Sequence, residues 1–315
     1  MGFLLPALMA VFTAVNVFHC APWFAVLCAP PSQNPFADLT YVALVVWVLA
    51  VLLLSLNYFA YRLLEGYLPP VSWLTLLKEW HKRRFRRLSA ERERLRAAGK
   101  KGEGSNIRFA LLNTYPSNED EFLPTLFGNT IRAFEVYSRD MYGADSISIW
   151  ERLEAVIPSS YEQLISDAHA QADFFVNTCL LAFIIACAAA VKLIAEYGWT
   201  GFTAAPADSA ELVTTIVVAL VVAATAYGWS IGRLVAWGNL VKGAFDCYLP
   251  ALAAQLGYVL PPSEAKRREF WTDVSKLALY RVPLKERKWK LASEPPHASK
   301  AGGGGDSGDD SASGD

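Results

Sequence analysis

Three polar side chains, His169, Asp173 and Asn177, follow one another at intervals of four residues. With 3.6 residues per helical turn, that spacing puts all three on one side of a helix. They stand at the edge of an uncharged block, where such a face could line a water-filled vestibule. An imidazole there could take up a proton near pH 6.5. An ordinary polar face at a membrane interface uses the same residue types, and the sequence leaves both readings open. Little other reactive chemistry is visible. The chain has no GxxxxGK[ST] phosphate loop, no GxSxG elbow, no HExxH and no CxxC. Its histidines, His19, His81, His169 and His297, are scattered with no pair at metal-ligand spacing. Neither a metal nor another cofactor is expected, and the chain does not read as an enzyme. Cys20 and Cys28 could form a disulfide in an oxidising compartment, whereas Cys179 and Cys187, inside an apolar block, are expected simply to pack.

The elements that would carry the trio are easier to read. Of 315 residues, 53% are hydrophobic and 19% charged, with a formal net charge of −1. A soluble domain averages roughly 45–50% apolar and about 25% charged. The excess is concentrated in blocks, which excludes an ordinary cytosolic globule, a disordered chain and a disulfide-rich mini-domain. The near-zero charge argues against a dedicated nucleic-acid binder. Residues 39–60, 174–191 and 212–232 carry no charge, and about 20 apolar residues suffice to cross a bilayer core of roughly 30 Å. These predict transmembrane helices within 39–64, 170–197 and 211–249. Residues 1–29 form a less regular first segment, interrupted by Pro6, Asn16, His19 and Pro22. It could be a full span, a re-entrant piece or a signal segment, though it lacks the Lys or Arg usual near a signal start.

Charge placement predicts the topology. Residues 62–169 carry 16 Lys/Arg and residues 233–300 carry 12, while the loops 30–38 and 197–211 carry none. The positive-inside rule then places both termini and the long middle loop in the cytoplasm of a bacterial inner membrane. Tyr58, Tyr61 and Tyr67 suit an aromatic belt at the inner boundary. The expected fold class is therefore an all-α membrane protein with four transmembrane helices. Its mainly helical cytosolic domain is formed by the loop between spans two and three (65–169) and the C-terminal segment 250–300. Residues 301–315, rich in Gly, Ser and Asp, are predicted to be a disordered acidic tail.

Helices in lipid associate through close contact of small residues. Ala224, Gly228, Gly232 and Ala236 form one such ridge, and Ala182, Ala186 and Ala190 another. The two could meet within one subunit or between subunits, and they make a homo-oligomer the expectation. No ionisable residue lies near the middle of a span, which weakens a coupled transporter but leaves a channel open.

The cytosolic part reverses its charge midway. Residues 71–101 carry net +8 and residues 102–169 net −7. The basic stretch, read as one helix, has Trp73, Leu77, Trp80 and Leu88 near helical spacing. Its Lys82, Arg83, Arg84, Arg86 and Arg87 suit contact with anionic lipid headgroups, and nucleic acid is not expected to use them. A solvated helix packed on its own domain is the plainer alternative. Residues 107–112 read as a short strand or extended arm. Ser117 is a candidate N-cap for a helix over 123–141, Gly143 a stop, and Asp145 the cap of a helix ending before Pro158. Ser159 and Glu162 form a capping-box pattern. No Pro or Gly follows until Gly198, so one helix is expected to run from the domain through the third span. The last span is expected to continue to Tyr248, and Ser263 to start a helix over Glu264–Tyr280.

The residues Leu123-Pro124-Thr125, Gly128-Asn129, Arg132-Ala133, Glu135, Tyr142-Gly143, Asp145, Trp150, Arg152-Leu153 and Pro158 resemble a pattern in uncharacterised bacterial multi-pass membrane proteins. The resemblance covers about 40 residues and the following span, and it implies architecture and no activity. Two function classes follow. One is a regulatory or scaffolding membrane protein whose cytosolic domain binds a protein partner. The other is an ion channel or pore-forming effector gated by that domain.

Overall fold

In the computed structural model the described residues are 2–18, 35–73, 75–198, 207–284 and 288–291. Helices follow one another as α1 (Leu4–Phe18), α2 (Pro35–Glu65), α3 (Thr75–Ala97), α4 (Lys101–Thr114) and α5 (Leu126–Glu135). After these come α6 (Tyr137–Tyr142), α7 (Ser146–Glu154), α8 (Ser159–Tyr197), α9 (Ala207–Gln255) and α10 (Glu264–Tyr280). Among the described residues the β structure is one isolated bridge, Tyr258 with Leu291. The helical fold class is thus as the sequence predicts.

Three helices, α2, α8 and α9, are long and apolar enough to cross a membrane. Their outward faces explain why they need one: Trp47 on α2, Ile184 on α8, and Val221 and Trp229 on α9 are each about 60% exposed. Apolar area of this kind is stable against lipid rather than water. The α1 helix has 15 residues, about 22 Å at 1.5 Å per residue, less than a bilayer core. Its Ala7 and Val11 pack on Val46 and Ala50 of α2. The rest of the first segment, including Cys20 and Cys28, lies outside the described residues, as does the acidic tail.

The α8 helix runs 39 residues and α9 runs 49, roughly 58 and 73 Å. Both therefore extend well beyond any bilayer core, and the remaining helices pack around their protruding ends as a head. The sequence's unbroken helix from the domain into the third block is present. Its first turn differs, because Pro158 rather than Ser159 is the N-cap and no side chain caps it. The α9 helix passes through Pro250 instead of stopping at Tyr248. Proline removes one backbone donor, but Leu249, Leu252 and Ala253 are buried in the head core and hold the following turn there.

The two small-residue ridges do not meet within the chain. Ala182 and Ala186 are buried and Ala190 half-buried, and Ala182 packs with Ala223 and Ala226 of α9. The ridge of Ala224, Gly228, Gly232 and Ala236 is exposed. A Cβ built on Gly228 or Gly232 meets nothing within 4 Å among the described residues. The glycines of α9 that admit close neighbours are others: a Cβ on Gly238 would lie 2.4 Å from the Phe134 ring, and one on Gly243 2.6 Å from the Tyr161 hydroxyl.

The basic stretch holds one long helix, α3, which stops at Ala97 rather than running through to residue 101. Gly99 adopts φ +77°, a left-handed conformation that suits glycine, and the chain turns back into α4. Residues 107–112 are helical, not extended. Ile107, Leu111 and Tyr115 fall four apart, and together they pack on Phe85, Leu88 and Phe122. Tertiary burial at helical spacing thereby overrides the strand-like local composition. Ser117 caps nothing: Asn118 caps a 3₁₀ turn, Glu119–Glu121, and Thr125 caps α5. Gly143, Asp145 and Ser263 do act as the stop and caps that the sequence suggests.

Candidate functional site

The polar trio sits where the apolar rods become the head. Asp173 is 5% exposed and faces α2, on which Asn57 and Tyr61 are also four residues apart. Its Oδ1 accepts hydrogen bonds from the Tyr61 hydroxyl at 2.9 Å and from Asn57 Nδ2 at 3.1 Å. His169 Nε2 stands 3.7 Å from the same oxygen. Asn177 Nδ2 donates to the Asp173 main-chain carbonyl at 2.7 Å. The start of α1 closes the group, since a Cβ on Gly2 would lie 2.9 Å from the Ala170 carbonyl and 3.3 Å from Asp173 Cβ. From α9 comes Trp237, stacked on the His169 ring at 4.4 Å between centroids. Side chains of α2 and α8 therefore meet at one carboxylate, with α9 and the residues before α1 packed beside them.

A buried carboxylate is costly unless its oxygens are satisfied. Two neutral donors reach Oδ1, while no Lys or Arg within ion-pair distance balances the charge among the described residues. The junction also carries an imperfection, because Asn57 Oδ1 is buried with no hydrogen-bond partner. A side-chain rotation here exchanges one unmet hydrogen bond for another, because not every polar atom of the junction is satisfied. Of the trio, His169 borders open space: it lines a cavity of about 500 Å³. Asp173 and Asn177 are buried against neighbouring helices.

One helical turn further along α2, the resemblance motif forms a second contact. Thr125 Oγ1 donates to the Leu64 carbonyl at 2.6 Å and accepts from Gly128 N at 2.9 Å. Gly128 lies so close to α2 that a Cβ there would be 2.4 Å from the Glu65 carbonyl oxygen. Asn129 is fully buried. Its Oδ1 accepts from Leu123 N, and its Nδ2 donates to the Leu123 and Thr125 carbonyls, all at 2.7–2.8 Å. Arg132 pairs with Glu135 at 3.3 Å and Glu121 at 3.7 Å. Thr125 and Gly128 thus hold the end of α2 against α5, and Asn129 fixes the turn that enters α5.

No protein-family model, no curated protein and no solved structure matches the chain. What the residues do must therefore be argued from their surroundings.

On α3, burial divides the helix cleanly. His81, Phe85 and Leu88 turn towards the head, while Leu76, Leu77, Trp80, Arg83, Arg84 and Arg87 are exposed along the opposite stripe. Two of the five cations assigned to lipid by the sequence are engaged within the chain, Lys82 with Glu79 at 3.1 Å and Arg86 with Glu119 at 2.6 Å. Arg84 stands 5.4 Å over the Trp80 ring. His81 Nδ1 meets the Tyr115 hydroxyl at 3.0 Å, and burial, with Arg84 nearby, pushes its pKa down to about 4.

A third polar group escaped the sequence reading. The hydroxyls of Tyr137 and Tyr142 donate to Asp246 Oδ1 at 2.9 and 2.7 Å. Burial and the Asp246 carboxylate push the Tyr137 phenol up to about 12, so this clasp between α6 and α9 stays protonated under ordinary conditions. Nothing in the separation of residues 142 and 246 signals it.

Proposed function

We propose that the protein is an integral membrane protein with a regulatory or scaffolding head on the cytoplasmic side of a bacterial inner membrane. The reading takes α1 with its following segment as a fourth span and puts both termini in the cytoplasm, as the distribution of Lys and Arg supports. It rests on one observation above others: α8 and α9 pass without a break from the apolar region into the head core. A change in how the head packs then reaches the rods through stiff helices. At the same level, the Asp173 junction ties α2 to α8.

The head is read as the part that receives a signal, from a cytosolic protein or from the membrane surface itself. The exposed stripe of α3, with Trp80 beside Arg83, Arg84 and Arg87, fits an interface rich in anionic lipid, where each cation contributes about 1 kcal/mol. Replacing Arg83, Arg84 and Arg87 by Gln is expected to weaken sedimentation with anionic vesicles. Unchanged sedimentation would remove the lipid role.

The protein is read as a homo-oligomer through the outward ridge of α9. Gly228→Leu should lower the subunit number measured by light scattering in detergent while helicity is kept, because no neighbour among the described residues occupies that face. A monomeric wild type would end this part of the reading. The second reading is a pore gated by the head, favoured by the same continuous helices. Ion flux from liposomes that responds to Asp173→Asn would support it, and silent liposomes would leave the scaffold.

A further inference from the structure

The cavity bordered by His169 lies between α5, α7, α8 and α9, and its lining is chemically one-sided. Its walls include the aromatic rings of Phe134, Trp150 and Trp237, and its polar groups include the carboxylates of Glu135, Glu154 and Glu162. No Lys or Arg lines it. Glu135 shares its charge with Arg132, but Glu154 and Glu162 have no ion-pair partner among the described residues. The volume of about 500 Å³ falls in the range of small-molecule sites, roughly 300–1,000 Å³.

We propose that this cavity binds a small organic cation, an ammonium group carried on an apolar body. Aromatic faces and unpaired carboxylates favour the same charge. The ring quadrupole attracts a cation placed over it, and the carboxylates add an attraction that an anion would meet as repulsion. The apolar walls favour a ligand with hydrocarbon around the charge over a strongly hydrated metal ion, which would demand a closer set of oxygens. The site stands whether or not the protein conducts ions. It would still bear on the junction described above, because His169 forms part of its wall and approaches Asp173.

Titration calorimetry on the full-length protein in detergent tests the proposal, with benzyltrimethylammonium chloride as probe and sodium phenylacetate as its anionic counterpart. Saturable binding of the ammonium, with phenylacetate about tenfold weaker or worse, is expected from the charge pattern. Glu154→Gln with Glu162→Gln should weaken the ammonium about tenfold and leave the circular dichroism unchanged, both positions being exposed at the rim. Each single substitution should cost about threefold, which keeps the test open if the pair folds poorly. Equal binding of the two ions would mark an apolar crevice and overturn the proposal. So would the absence of saturation, or wild-type affinity in the folded variants.

Discussion

Two contacts hold the last turns of α2, and they are built on opposite principles. The clasp to α5 uses backbone carbonyls, a threonine cap and a glycine that lets the helices touch, and the three hydrogen bonds of Asn129 are all made. The junction to α8 uses a buried carboxylate with neutral donors and leaves Asn57 Oδ1 without a partner. A fully satisfied contact has no second arrangement of similar energy. A partly satisfied one does, because a side-chain rotation exchanges one deficit for another. From this difference we read α2 as fixed to the head and adjustable against α8.

The contrast can be broken most forcefully at Gly128. A leucine there must displace the Glu65 carbonyl, and overpacking against backbone that cannot yield costs about 3 kcal/mol, the upper end of the usual scale. Thermal unfolding in detergent should show a large loss, with poor recovery of folded protein. A near-wild-type melting temperature would mean that the clasp is not rigid. Asp173→Leu comes next, leaving the Tyr61 hydroxyl and Asn57 amide buried and unpaired at about 2–4 kcal/mol together. Its melting temperature should fall without loss of the clasp.

Acid provides a control outside both contacts. His81 is protonated less readily when folded, at about 4, than in an unfolded chain, where the value is about 6.5. The unfolded state then binds more protons, so stability is complete above pH 6.5 and declines as pH falls towards 4, by an amount on the order of 2 kcal/mol. The α3–α4 hairpin should loosen over that window, read by Trp80 fluorescence, and His81→Gln should abolish the dependence. Smallest of all is Asp173→Asn. It keeps an acceptor for Tyr61 and removes the buried charge, so the change should stay within about 1 kcal/mol. If it matched Asp173→Leu, charge rather than hydrogen bonding would hold the junction.

Local signals were legible in the sequence to the extent that local physics decides them. The uncharged blocks, the stop at Gly143, the caps Asp145 and Ser263, and the uninterrupted run after Pro158 all follow from a few neighbouring residues. The reversal at Gly99 was open to the same logic, but the charge run across it hid the turn. Features that depend on partners were not legible. Asn57 and Tyr61 lie more than 100 residues from Asp173, so the sequence could name the polar trio but not its donors. The ridge at Gly228 could be counted, whereas its outward direction follows only from Ala223, Ala226 and Leu234 being the face that α8 and the head cover. His169, the one member of the trio at a cavity, could not be separated from Asp173 and Asn177 by spacing alone.

The central claim is that α2 is fixed at α5 and adjustable at Asp173. Hydrogen exchange of the full-length protein in lipid nanodiscs, comparing wild type with Asp173→Leu, tests it most directly. Faster exchange confined to residues 57–61 and 169–177, with residues 123–131 as protected as before, is the expected result. Loss of protection across residues 123–131 to the same degree, or no change anywhere, would contradict it.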